Sequence, residues 1–343
     1  MCIRDRDIVR VALVGNSCIH HLFLGLPIDT LVKAPYDPVV KGALKLPAAK
    51  FDVRIHPQGE ILWLPNIGGF VGADTVGGIL ASRIYEKEKP TLLVDIGTNG
   101  EIVLGDRQGL MACSTAAGPA FEGAKITCGM RGTEGAIDKV WLENGKLSWH
   151  VIGEGEPKGI CGSGLLDATA CLLRLGKLDE TGRMEEQTVS FTEQVYLNQR
   201  DIRELQLAKA AICAGIRLLC SHRGIEVDEI DTLLIAGAFG NYMNPASACA
   251  IGLLPPELAE EVSPFITGSL LTAEEKRLLK AADRLSALIK CMEEQRSGNH
   301  EFDAALRQQR EALEGMHCPE ADWFMAHCLP CFTQNLDELT RSE

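Results

Sequence analysis

The segment Asp95-Ile-Gly-Thr-Asn-Gly-Glu101, between the apolar runs Thr91–Val94 and Ile102–Leu104, limits what this chain can fold into. It reads as strand, turn and strand, with Asn99-Gly100 as the hairpin signal. Gly97 and Gly100 let the backbone approach a ligand, and successive amides in such a turn form an anion-binding nest. Thr98 adds a hydroxyl donor, and Asp95 at the strand end can hold a metal-bound water. The turn is thus equipped for a nucleotide phosphate with magnesium. The same residues also spell an ordinary Asn-Gly hairpin with a satisfied surface Asp.

Two further glycine clusters favour the ligand reading. Gly159-Ile-Cys-Gly162-Ser163-Gly164 precedes a helix expected over Gly164–Leu175, so its free amides can face an anion. Ala236-Gly237-Ala238-Phe239-Gly240 follows a buried strand, Leu233–Ala236, and leads into a loop where a flat ring can lie on backbone. No G-x-x-x-x-G-K-[ST] segment is present, which excludes a P-loop, and the glycine spacing at 159–164 is not the dinucleotide fingerprint.

Composition narrows the class. The 343 residues hold 34 Lys and Arg against 47 Asp and Glu, a net charge of −13, so no phosphate-backbone partner such as nucleic acid is expected. Aromatics are only 5% of the chain, which requires an aliphatic core. No apolar run reaches the ~20 residues of a membrane span, and no secretion signal opens the chain. Thirteen Cys, an odd count placed mostly in apolar segments, is the pattern of reduced thiols and of a cytoplasmic protein. Strands are expected at 8–14, 61–64 and 110–114, and a second hairpin at Asn144-Gly145. Helices are expected at 73–85, 201–222, 272–294 and 301–314. Pro90 marks a lobe boundary. Hairpins first and strand–helix alternation afterwards give an α/β domain.

In this order Val14-Gly15-Asn16, Leu64-Pro65-Asn66, Gly69-Phe-Val-Gly-Ala-Asp74 and Asp95–Glu101 look like one family. Ser114-Thr-Ala-Ala-Gly-Pro-Ala-Phe-Glu-Gly123, Gly129-Met-Arg131, Cys161–Gly164, Gln206-Leu-Ala-Lys209 and Ala236–Asn241 continue the match. From about residue 8 to about 258 the chain resembles the ATP-binding part of the reductive activators of corrinoid proteins, in the actin, sugar-kinase and Hsp70-like (ASKHA) superfamily. The resemblance implies an α/β fold of actin-like ATPase (RNase H-like) lobes, a mixed sheet flanked by helices, with the first lobe incomplete. It implies residues 7–89 as the back of the first lobe, 90–296 as the second lobe and 297–343 as a tail of uncertain character.

It further implies a phosphate turn at Asp95, Gly97, Thr98, Asn99 and Gly100, with Asp95 catalytic and holding magnesium through water. An adenosine motif falls on Gly237, Ala238, Phe239 and Gly240. Gln206 and Lys209, near one turn apart on a helix, take a nucleoside role or belong to a solvated helix face. Glu122 is either a polar group in the cleft or a carboxylate at a helix N-terminus. His20 and His21 read as packing or surface residues. Cys318, Cys328 and Cys331 with His317 and His327 fit no metal template. The implied cofactors are ATP and magnesium, and the implied partner is a corrinoid protein; a homodimer is left open.

Two departures from the family pattern set expectations of their own. The iron–sulfur segment and the first Asp-Ile-Gly-Thr-type turn are expected upstream of Asp7, while Met1–Arg6 reads as a non-native leader. A chain holding only the second phosphate turn is expected to bind nucleotide weakly and to expose an open sheet edge. After Pro264 the family's Gly-Asn-Ala-type turn is replaced by Phe265–Ser269. A small-molecule kinase of the same superfamily and a non-hydrolysing ATP-responsive module are the alternatives.

Overall fold

In the computed structural model the chain forms two compact units, Arg4–Thr267 and Gly268–Glu343 together with Met1–Ile3. The structure describes residues 7–240, 242–258, 262–264 and 303–327, with single positions between 277 and 295. The leader 1–6, Phe265–Ser269, most of the 272–294 helix, Cys328 and Cys331 lie outside the described residues.

The larger unit begins with β1 (Arg10–Leu13), α1 (Ser17–Leu24), the short α2 (Asp29–Val32), β2 (Leu44–Pro47) and β3 (Glu60–Trp63). These strands order as β1-β3-β2, with β1 parallel and β2 antiparallel to β3. Asn16 caps α1 by accepting from the Ile19 amide, which is why Gly-Asn-Ser starts a helix here. His20 and His21 are packing residues, both fully buried. His21 Nε2 accepts from the Val39 amide, and His20 Nδ1 lies 2.8 Å from the Asn66 amide nitrogen. Helix α3 (Ala73–Ser82) follows, one turn shorter than its apolar pattern predicts, because Arg83 turns left-handed at φ 52° and ends it.

The second sheet is built from β4 (Thr91–Ile96), β5 (Gly100–Asp106) and β6 (Gly109–Thr115), then, after the small sheet of β7 (Ala136–Glu143), β8 (Lys146–Val151) and β9 (Gly159–Ile160), continues elsewhere in the chain. Helix α4 (Gly162–Arg174), the β10 (Thr188–Ser190)–β11 (Tyr196–Asn198) hairpin and α5 (Gln199–Arg223) precede β12 (Thr232–Ala236) and β13 (Val262–Pro264). The resulting order is β13-β12-β4-β5-β6, parallel as far as β4 and antiparallel from β4 to β6. This is the mixed, helix-flanked sheet expected.

Both faces of this sheet are covered, which fixes where each side chain of β4 points. Leu92, Val94 and Ile96 join Ile102, Leu104, Ile212 and Ile216 in the main core, against α5. Leu93 joins Val103, Leu234, Ala236 and Ile79 of α3 on the opposite face. Side chains alternate along a strand, so Asp95 must leave on the α3 face. Burying the apolar residues of β4 on both faces contributes roughly 1.5–3 kcal/mol for each large side chain.

In the second unit, helices α8 (Asp303–Glu314) and α9 (Pro319–His327) follow the α6 (Gly237–Gly240) and α7 (Pro245–Ala250) turns of the first. Leu288, Met292, Leu313, Cys318 and Ala321 form its core, so Cys318 is a packed thiol. Helix α9 was not predicted, because its apolar residues carry almost no one-sided pattern. Cys318 and the eight described cysteines from Cys18 to Cys249 carry free thiols. No helix among the described residues is long and apolar enough to cross a membrane.

Candidate functional site

The register of the second sheet places one row of residues across its α3 face: Ala236 beside Asp95, Asp95 beside Glu101, and Glu101 beside Ser114. The hairpin that sets this register differs from the one its sequence predicts. The loop is Gly97–Asn99, and Gly100 is already the first residue of β5, paired with Ile96. An Asn-Gly type I′ turn requires positive φ at both residues, and neither Asn99 nor Gly100 has it. Gly100 is needed for space instead: a Cβ there would stand 2.7 Å from Thr115 Oγ1 and 3.0 Å from Ile212. At Asn144-Gly145 nothing competes, and both residues take positive φ, 51° and 75°.

Helix α3 brings a third carboxylate to the row. The Gly15 carbonyl accepts from the Ala73 and Asp74 amides, at 3.0 and 3.3 Å, and anchors the helix start. Gly72 permits that approach, since a Cβ there would lie 2.6 Å from Asn16 Cα. The helix then places Asp74 within electrostatic reach of both Asp95 and Glu101.

Burial pushes the Asp95 carboxyl above its ordinary range, and the Asp74 charge adds to the effect. Asp95 gains no compensating hydrogen bond among the described residues. Glu101 is pushed from 4.5 up to about 7, first by burial, then by Asp74 and Asp95; the Ser114 hydroxyl, donating at 3.2 Å, opposes the shift. Among the described residues no three His, Cys, Asp or Glu side chains form a ready-made metal cage. A hard-oxygen row with one unpartnered carboxylate does fit a magnesium ion held mostly by water and phosphate. Anionic phosphates approaching three carboxylates also need such a cation.

The sign of the Glu101 shift makes a stability prediction. The folded state holds the proton more tightly than the unfolded chain, so stability falls as pH rises from about 4.5 to about 7 and then levels off. Glu101→Gln is expected to match the parent near pH 4 and to exceed it above pH 7. The gain should be about 1 kcal/mol, allowing for solvent screening of a side chain that is only partly buried. Denaturant melts at pH 4, 6 and 8 check it; equal differences at all three would mean that Glu101 does not titrate in this range.

The remaining expected site residues divide into two groups. Gly237, at φ +88°, lies directly behind the acidic row, where a Cβ would be 2.6 Å from Asp95 Oδ1. Phe239 stacks on Phe121, with ring centroids 4.8 Å apart. Gly162 packs under both, since a Cβ there would meet the Phe121 carbonyl at 2.0 Å and the Phe239 ring at 2.9 Å. Gly162, Ser163 and Gly164 are buried, and Ser163 donates to the Asp138 carbonyl at 2.8 Å. These glycines therefore make close packing possible, and the helix start does not face open solvent as an anion site would. Residues 237–240 form a short helical turn, α6, where a loop was expected.

Gln206 and Lys209 stand elsewhere. They share one face of α5, as their spacing predicts, and line a cavity of about 230 Å³ with Leu173, Leu178, Ile202 and Ile251. Neither the 95–100 turn nor the 237–240 segment lines that cavity. Gln206 donates to the Thr181 carbonyl at 2.8 Å, and Lys209 donates to the Ile251 carbonyl. Burial lowers the Lys209 pKa.

Within the turn, the Gly97 amide donates to the Asn99 carbonyl at 2.9 Å, and the Thr98 carbonyl accepts from the Gly118 amide at 2.8 Å. The Thr98 hydroxyl donates to the Glu122 carboxylate, so Glu122 is a polar partner of the turn. Sequence reasoning missed Asp74, Glu101 and Phe121 as site residues. Asp74 and Phe121 lie inside quoted motifs. Glu101 becomes visible once the hairpin is centred on Thr98 instead of on Asn99-Gly100.

Comparison with known proteins follows the same outline. Residues 89–304 match the model of the C-terminal domain of RACo, the ASKHA domain, and residues 1–87 match the RACo middle region. The chain is 38% identical over 322 residues to the corrinoid activation enzyme RamQ of Eubacterium limosum, covering 84% of this chain and 54% of RamQ. It is 28% identical over 309 residues to a [Co(II) methylated amine-specific corrinoid protein] reductase of Methanosarcina barkeri, covering 79% and 56%. A solved reductive activator for corrinoid, iron-sulfur protein superposes with a TM-score of 0.67 at 33% identity, over 77% of this chain and 46% of that one. The chain thus spans about half the length of the relatives it matches. A separate similarity, 38% identity over 90 residues to a 5'-deoxynucleotidase of Vibrio atlanticus, covers 26% of this chain and 46% of that protein. With the ASKHA domain matched over most of its length and an activator superposing on its sheets, the chain belongs to the RACo family of corrinoid reductive activators.

Proposed function

We propose that this chain is the ATP-driven part of a protein that reduces cobalt(II) corrinoid proteins to cobalt(I). The observation that carries the reading is Asp95: a half-buried, unbonded carboxylate at a strand end, beside the Gly97–Asn99 turn and facing Asp74 and Glu101. Such a group gains most from a divalent cation, and a cation–nucleotide pair supplies one. Magnesium, when bound, would neutralise phosphate charge. Asp95 would orient its water, and the Thr98 and Asn99 amides, which have no protein acceptor among the described residues, would face the phosphoryl oxygens. The Gly237–Gly240 segment would lie against the nucleoside, and the Gln206–Lys209 cavity is a second surface available to it.

Cobalt(II) reduction in a corrinoid protein is uphill, so a nucleotide-dependent change of shape must bias the corrinoid site. The electron would come from an iron–sulfur cluster in a segment outside this chain. The test combines the protein, extended to the length of its relatives, with a cobalt(II) corrinoid protein and a reductant. ATP is expected to bleach the cobalt(II) electron-spin signal, and ADP is not. Bleaching that is indifferent to ATP, or ATP-dependent phosphorylation of a small acceptor instead, would overturn the reading.

A further inference from the structure

The three glycine-rich segments do not touch one another through their glycines alone. A fourth segment joins them. Pro119–Glu122 is a single 3₁₀ turn held between two glycines of positive φ, Gly118 at 79° and Gly123 at 81°. Its Glu122 carboxylate accepts from the Thr98 hydroxyl, and the Gly118 amide before it donates to the Thr98 carbonyl at 2.8 Å. One residue away, the buried Phe121 stacks on Phe239 at 4.8 Å and 25°. The Phe121 carbonyl sits where Gly162 alone leaves room. A short, doubly pinned turn therefore touches the phosphate side of the site with one side chain and the nucleoside side with the next.

We propose that Pro119–Glu122 is a positioning bracket that ties the 97–99 turn to the Phe239 segment, with Glu122 setting the Thr98 hydroxyl and Phe121 setting Phe239. The inference rests on the nucleotide reading of the site. The Thr98 hydroxyl directs its proton at Glu122, so its oxygen presents lone pairs to the site. Thr98 is then a partner for a water or a cation rather than a donor to a phosphate oxygen. Neither bracket residue needs to touch the nucleotide for this; they act through Thr98 and Phe239.

The test uses this chain extended to the length of its relatives, magnesium, and two ligands, ADP and adenosine, titrated by calorimetry. Glu122→Ala is expected to weaken ADP binding by roughly 3–10-fold, the worth of one hydrogen bond, while adenosine affinity changes by less than about twofold on the same principle. Glu122→Gln keeps an acceptor for Thr98 and is expected to restore ADP affinity. Phe121→Leu combined with Glu122→Ala should lose less than the two single losses added, because both act through one turn. Glu122→Ala with unchanged ADP affinity, equal losses for ADP and adenosine, or strictly additive losses in the double variant would each overturn the bracket. A parent chain that binds neither ligand would sink the nucleotide reading itself, and the bracket with it.

Discussion

Asp95→Asn is expected to lower ATP turnover by roughly 10²-fold or more, the effect of removing one preorganised charge-stabilising group, while leaving the fold intact. Among the described residues the side chain is held by no hydrogen bond, and its charge is opposed by burial and by Asp74. Nothing structural depends on that charge, so the Asn variant should melt at or above the parent temperature, and more clearly so at high pH. Activity and stability then move in opposite directions, which is the signature of a group retained for chemistry. Turnover would be measured in the protein extended to the length of its relatives, with circular dichroism melts beside it. Unchanged turnover with a native spectrum would remove Asp95 from catalysis.

Gly237→Val is expected to damage both binding and stability. The sequence-based expectation is narrower: a branched side chain in the plane of the adenine ring, with affinity falling more than thermal stability. The structure changes the reason and the outcome. At φ +88° a β-branched residue is strained by about 1–3 kcal/mol. Its Cβ would also meet Asp95 Oδ1 at 2.6 Å and the Ile96 carbonyl at 2.9 Å, so β4 or Asp95 must move. A total loss of roughly 2–4 kcal/mol follows, several degrees in melting temperature for a unit of this size. Gly237→Ala carries the same Cβ and should show a smaller loss of the same kind. A native melting temperature in Gly237→Val would mean that the contact with Asp95 is absent in solution.

The two Asn-Gly pairs show where sequence reading succeeds and where it stops. Asn144-Gly145 closes a hairpin between two strands of a small sheet, and its turn chemistry decides the geometry unopposed. Asn99-Gly100 carries the same signal, yet β6 and α5 press on Gly100 and the loop forms at 97–99 instead. That shift pairs Asp95 with Glu101 and so creates the acidic row. Local preferences of a few tenths to 1 kcal/mol cannot hold a register against a packed layer.

The same division runs through the rest of the chain. Order and type of the main elements, the glycine motifs, the helix start at Asn16 and the shared face of Gln206 and Lys209 were set by short-range chemistry, and sequence alone determined them. Only the tertiary structure decided that Asp74, 21 residues before Asp95, meets it on the α3 side of the sheet, that Phe121 meets Phe239, and that the Gln206–Lys209 face opens into a cavity apart from the 97–99 turn. Helical and strand periodicity says which residues share a face. Which partner that face meets depends on contacts between distant segments, where packing density and burial outweigh any local preference.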